Sequence, residues 1–284
     1  MSRLHLHFDG DITRNHTVSL RTLGNSLYHL QAAVNRAHLD TKFGEVWKGA
    51  RLSKQDYLDT ELWSRPPENG GYIIDFIDSS PRIKKTLTRM IQAITPAVEK
   101  SNFQALKASG SLVQQAAQRF EQVRVGTIEP QSFESYMPTA SQNPYGDRAI
   151  NKEIDLLAGI VRTPNAGQST VELIIDNDRS YAYKFNRVAS ENFHALVSNR
   201  MLGEPLIFSV KVTELDSTNK TAKIFNVLTE RTVKLTYANE EDFSLIKPFL
   251  GIQVAMNFIG SPVYEGGAFD AKGGDLFFIG LANG

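Results

Sequence analysis

From Glu204 to Leu281 the chain breaks into five short strand-like runs: Leu206–Leu215, Thr221–Val227, Thr232–Tyr237, Ile252–Ile259 and Asp275–Leu281. Asp216-Ser-Thr-Asn supplies the first turn and glycines punctuate the last connection, since short polar side chains and glycine accept the backbone angles of tight reversals. One helical insertion fits Asn239–Phe249, ahead of the fourth strand. Five short strands with a helix in that place predict a small closed β-barrel, of oligonucleotide-binding-fold or SH3-like type. Strand count alone does not choose between the two.

The upstream part mixes both periodicities. A strand opens at Leu4, and Ser19 is positioned to cap a helix in which Leu20, Leu23, Leu27, Leu30, Val34 and Ala37 recur at three- and four-residue spacing, with Gly44 as its stop. Thr60–Ser64 and Tyr72–Asp78 read as a hairpin around the turn-rich 65–71 loop, the second strand being central. A helix opens at Ser79, Ser80 or Pro81 and runs through Leu87, Ile91 and Ile94; Pro96 is expected to kink or stop it, with further helix over Phe103–Val123. Residues 126–146 carry three prolines and no period, which marks an irregular connection. A helix over Ile150–Val161, a hairpin of Thr170–Ile175 with Tyr181–Phe185, and a helix over Val188–Val197 follow. The expected class is α+β: an N-terminal β-α-β-β-α domain with additional helices over 1–125, a connection over 126–146, a helix-hairpin-helix segment over 147–200 and the barrel over 201–284.

Composition removes several function classes. With 284 residues, 41% of them hydrophobic, the chain can bury a sizeable core. Its longest apolar runs, such as Tyr72–Ile77, fall far short of the roughly 20 residues that span a bilayer, so no membrane association is expected. The N-terminus has no basic segment followed by an apolar run, which points to a cytoplasmic location. The absence of cysteine excludes disulfides, thiolate metal sites and thiol nucleophiles. No phosphate loop, dinucleotide-binding glycine pattern, hydrolase elbow or zincin helix occurs, and no cofactor is expected.

The most chemical-looking stretch is Leu4-His-Leu-His-Phe-Asp-Gly-Asp11. In an extended chain His5, His7, Asp9 and Asp11 project to one side, as half of a metal-dependent phosphoesterase site would require. His-x-His superficially resembles the opening motif of two metallohydrolase superfamilies, but one needs several later histidines where only His38 and His194 follow Ala37, and the other ends its run in a histidine where this chain has Gly10. The alternative is an edge or surface strand whose Leu4, Leu6 and Phe8 face the core and whose histidines face solvent. His29 and His38 belong to a helix face expected to meet solvent.

Formal charge is zero, with 31 basic and 31 acidic residues, yet the charges are uneven. Residues 81–124 hold eight basic side chains against two acidic ones, and Arg82, Lys85 and Arg89 share a helix face with Lys84 nearby. These four are the nucleic-acid candidates, since cations along a helix can follow phosphates. In the barrel Phe208, Phe225, Tyr237, Phe258, Phe277 and Phe278 would stack bases if they faced outward, although alternation predicts that most are core.

Phe8-Asp9-Gly10, the stretch Asn15–Leu30, the hairpin entering Gly70-Gly71-Tyr72-Ile73-Ile74 and the terminal barrel together resemble a group of uncharacterised bacterial proteins that join an N-terminal α+β domain to a five-stranded barrel. The resemblance implies a fold role for Asp9 and Gly10, a bacterial or mobile-element setting and a part in phage–host conflict; it carries no catalytic residue. The functional expectation is therefore non-enzymatic binding or assembly with a protein partner or with itself. Nucleic-acid binding through 82–124 and metal-dependent phosphoester chemistry through His5, His7, Asp9 and Asp11 are the alternatives.

Overall fold

The computed structural model describes residues 2–15, 17–64, 68–69, 72–78, 81–103, 110–136, 145–252 and 254–282. In chain order the first elements are β1 (Ser2–Asp9), β2 (Thr13–Arg14), β3 (Thr17–Val18), α1 (Leu20–Phe43), α2 (Lys54–Thr60), β4 (Trp63–Ser64), β5 (Glu68–Asn69), β6 (Tyr72–Asp78) and α3 (Pro81–Phe103). Next come α4 (Leu112–Arg124), β7 (Gln131–Ser132), α5 (Phe133–Tyr136), α6 (Tyr145–Ala158), β8 (Thr170–Asp176), β9 (Ser180–Phe185) and α7 (Arg187–Ser198). The last group is β10 (Arg200–Leu202), β11 (Leu206–Asp216), β12 (Thr221–Asn226), β13 (Arg231–Thr236), α8 (Glu240–Ile246), β14 (Met256–Glu265) and β15 (Leu276–Leu281). The protein is α+β, and its C-terminal part closes into a five-stranded barrel.

Two compact units form, and neither follows chain order. The first takes Met1–Val46, Ala50–Lys107 and Tyr145–Ser198; the second takes Trp47–Gly49, Ala108–Pro144 and Asn199–Gly284. The helix-hairpin-helix segment after residue 147 thus belongs to the first unit, because β8 pairs with β1 along its whole length.

In the first unit the sheet runs β4-β6-β1-β8-β9, with β5 also on β6. β1 is the central strand of this sheet, with antiparallel partners on both sides, and not an edge. Leu6 stands opposite Ile74 on one neighbour and Leu173 on the other, and this row is buried. Leu30 and Val34 of α1, Leu87 and Met90 of α3, Ile150 and Ile154 of α6 and Phe193 of α7 close over that face. Each such side chain contributes roughly 1.5–3 kcal/mol when fully removed from water. The opposite face carries half-exposed His5, His7, Glu172 and Ile174, the usual asymmetry of an antiparallel sheet covered on one side.

Helix α1 begins where Ser19 accepts a hydrogen bond from the Thr22 amide and ends at Gly44, whose φ of 72° suits a left-handed stop. Helix α3 opens at Pro81 but continues through Pro96 to Phe103. Pro96 and Gln92 are both exposed, so the Gln92 carbonyl that loses its helical partner can turn to water. Thr60–Ser64 is only partly strand: Ser53 and Asp56 form a reciprocal capping box and start α2, which leaves β4 just two residues. Within 126–146, described residues form β7 and α5, and Tyr145 already begins α6.

The second unit is built on the barrel. Adjacent pairs are β11–β12, β12–β13, β13–β15, β15–β14 and β14–β11, with β13 and β15 parallel and the others antiparallel. Helix α8 lies between the third and fourth barrel strands. This first-second-third-fifth-fourth ring is the Greek-key order of the oligonucleotide- and oligosaccharide-binding barrel, which decides against the SH3-like alternative. β11 reaches both neighbours because its register shifts between Val212 and Glu214, a bulge that bends the strand. Phe208, Phe258 and Phe278 stack inside, with successive ring centroids 5.7 Å apart, and Phe133 covers Phe208 at 4.7 Å.

Candidate nucleic-acid interface

The four residues of the opening strand do not gather into one site. His5 Nε2 lies 3.2 Å from Asp176 Oδ2 and His7 Nδ1 lies 3.7 Å from Glu172 Oε2, each across the β1–β8 ladder. Asp9 Oδ1 instead accepts from the Gly10 amide at 2.8 Å, and Asp11 Oδ2 accepts from the Gln168 amide at 2.8 Å. Both aspartates thereby shape the reversal at Gly10. Its φ is +85°, and an added Cβ would sit 2.6 Å from the Gln168 carbonyl oxygen.

Among the described residues, the histidine and carboxylates that approach within metal-ligand distance are His38, Asp56 and Asp59. His38 is buried, contrary to the solvent-facing position expected of it, because α2 folds back over its side of α1. Asp56 Oδ1 is met by His38 Nε2 at 3.1 Å and by Lys42 Nζ at 2.6 Å, while Oδ2 accepts from the Ser53 amide and hydroxyl at 2.9 and 2.7 Å. Burial opposes the charged form, but these donors together outweigh it and hold the carboxyl well below the usual carboxylate range. Arg82 pairs with Asp59. Lys42 and Arg82 each already balance one of the two carboxylates, and the cluster reads as an ion-pair lock between α1, α2 and α3.

Most of the basic helix is matched in the same way. Lys84 Nζ lies 2.7 Å from Asp178, and Arg89 bridges Asp40 and Asp147. Burial works against the Arg89 charge, yet Asp147 and Asp40 raise its pKa overall. Arg124 pairs with Glu121. Lys85 is exposed and has no ion pair among the described residues. Of the four candidates, Arg89 is held between helices and Arg82 lies on the largely buried Asp59, which leaves the exposed Lys84 and Lys85 as the charge this helix offers to phosphates.

The barrel presents a different surface. Of its six aromatic residues singled out above, Phe208, Tyr237, Phe258, Phe277 and Phe278 are buried, whereas Phe225 is half-exposed. Ala222, Ile224 and Asn226 take the inward positions of β12, so Phe225 and Lys223 point outward. Phe225 stands opposite Lys211 on β11 and Thr232 on β13, and Lys223 stands opposite Lys234. Lys223 also reaches Glu214 at 2.7 Å, an exposed pair worth little in water.

Trp47 adds a second aromatic group to this unit. The Trp47–Gly49 segment is tied to the loop before β15 by the Lys48 amide, which donates to Asp270 Oδ2 at 2.6 Å, and by a Lys48–Asp275 ion pair. Arg231, at the start of β13, lies 5.9 Å from the Trp47 ring centroid and Lys272 lies 5.6 Å from it. Both cations are within cation–π range. Trp47 and Lys211, Lys223, Lys234, Arg231 and Lys272 were not legible as a site, because only the strand register and a 222-residue contact bring them to one unit.

Comparison of the chain with protein-family models, with curated proteins and with solved structures finds no match in any of the three.

Proposed function

We propose that this protein works by binding a macromolecule, and that the outer face of its barrel takes a single-stranded nucleic acid. The observation that carries the reading is the row Lys211–Phe225–Thr232, an outward aromatic ring between a cation and a hydroxyl on a face that also carries Lys223, Lys234, Glu214 and two threonines. An aromatic face accepts any base by stacking, and flanking ammonium groups follow the backbone. The barrel's strand order is one on which such binding recurs across the second and third strands, although fold alone does not confer function. Trp47, flanked by Arg231 and Lys272, offers a further stacking position. Such binding accords with a bacterial or mobile-element setting and a part in phage–host conflict.

Fluorescence anisotropy with a labelled twelve-nucleotide single strand, DNA and RNA in parallel, tests the reading. Binding should weaken with salt at a slope of about −2 in log K against log salt if roughly three phosphates are neutralised. No binding to either strand at low salt would end the proposal.

A further inference from the structure

The first unit holds a cavity of about 500 Å³ along the outer side of α1. Its floor is one helix face: Tyr28, Gln31, Ala32, Asn35, Arg36 and Leu39 recur at three- and four-residue spacing over about 16 Å of helix. Ala32 gives the floor its depth. Arg51, Leu52 and Tyr57 form the far wall.

Three properties of this lining point to one kind of ligand. The first is unspent positive charge. Arg36 and Arg51 have no carboxylate partner among the described residues, unlike Lys42, Arg82, Lys84 and Arg89. Arg36 is half-buried and anchored by one N–H to the Ala50 carbonyl at 3.2 Å, which leaves the rest of its fork for an anion. The one carboxylate of the lining, Glu153, is engaged by His29 Nδ1 at 2.9 Å.

The second is exposed aromatic surface. Tyr28 is 70% exposed and Tyr57 60%, so both rings present a face that a planar ligand can stack on. Tyr28 is also braced, with its ring edge-on to His29 at 5.1 Å. The third is a pair of amides. Gln31 Nε2 donates to Asn35 Oδ1 and to the Thr60 carbonyl, both at 2.9 Å. Gln31 Oε1 and Asn35 Nδ2 remain, one acceptor beside one donor, which is the complement of a nucleobase edge.

We propose that this cavity binds a nucleoside monophosphate, with its phosphate on Arg36 and Arg51, its base against the tyrosine rings and its base edge read by Gln31 and Asn35. The volume suits a ligand of that size. The site lies wholly in the first unit and does not rest on the barrel reading.

Isothermal titration of the full chain with each of the four common nucleoside monophosphates tests it, with the matching nucleoside and inorganic phosphate as separate arms. At least one monophosphate should bind with one-to-one stoichiometry, and its nucleoside and phosphate alone should each bind at least about tenfold more weakly. Arg36→Gln with Arg51→Gln should weaken binding by about tenfold or more, and Tyr57→Ala should weaken it as well. Because Arg51 is exposed, Arg51→Gln alone keeps the fold and should still show a loss. Phe225→Ala should leave the affinity unchanged. The proposal is overturned if no monophosphate binds at millimolar concentration, if the double variant binds as the parent does, or if Phe225→Ala abolishes binding and so assigns the nucleotide to the barrel.

Discussion

Arg89 Nε donates to Asp40 Oδ2 across 2.6 Å, joining the middle of α3 to the last turns of α1. The same guanidinium reaches Asp147 on α6, so a single side chain ties three helices above the sheet. Arg89→Met should cost about 3 kcal/mol in urea unfolding, because it leaves Asp40 largely buried without its cation. Arg89→Lys should recover only part of that, since an ammonium cannot hold both carboxylates in a fixed fork. A parent-like midpoint for Arg89→Met would show that the bridge adds nothing to stability.

Phe225 and Phe258 make opposite predictions. Phe225→Ala should leave the melting midpoint nearly unchanged while lowering single-strand affinity by roughly 5- to 150-fold, the loss of about 1–3 kcal/mol of stacking. Phe258→Ala, which opens a hole among stacked core rings, should destabilise the barrel by about 3–5 kcal/mol. Paired thermal melts and anisotropy titrations separate the two, and equal effects on stability would contradict the outward placement of Phe225.

Asp56 predicts a specific acid sensitivity. Its folded carboxyl is held below the ordinary value of 3.8, so the stability it contributes is complete above that pH and is lost as pH falls toward the lowered folded value. Urea midpoints measured from pH 7 to pH 2.5 should therefore drop more steeply below about pH 4 in the parent than in Asp56→Asn. Parallel curves would remove Asp56 from the acid transition.

Gly10→Ala should destabilise the first unit by about 2 kcal/mol or more, because the position combines a positive φ with a Cβ against the Gln168 backbone. Gly44→Ala, where φ is also positive but the space is open, should cost less, and differential scanning calorimetry of the pair checks the order. A reversed order would mean that the backbone at 168 yields easily.

Local patterns in the sequence account for α1, the β8–β9 hairpin and four of the five barrel strands, since Ser19, the leucine spacing and the Asp176–Arg179 turn act over a few residues; the fourth barrel strand lies at Met256–Glu265, displaced toward the C-terminus from the Ile252–Ile259 run. Helix α2 has no apolar period and buries only Asp56 and Thr60, so its one signal was the capping serine three residues before an aspartate. Alternation predicts that most of the six barrel aromatics are core, and Phe225, the one aromatic residue of β12, is the exception. What stayed hidden was register: nothing near Lys211 or Trp47 says which strand or loop will lie beside it.

The pairing of β1 with β8 has a consequence for synthesis. Leu6 and Leu173 are neighbours in space and 167 residues apart in the chain, with most of α4 to α5 committed to another unit in between. At roughly 5–20 residues per second, a ribosome needs on the order of ten seconds or more to deliver the second after the first. During that wait the future centre of the sheet has β6 on one side and an unsatisfied row of amides and carbonyls on the other. The nascent chain is most exposed to misassociation in this interval, and a factor that shields a strand edge would matter most there.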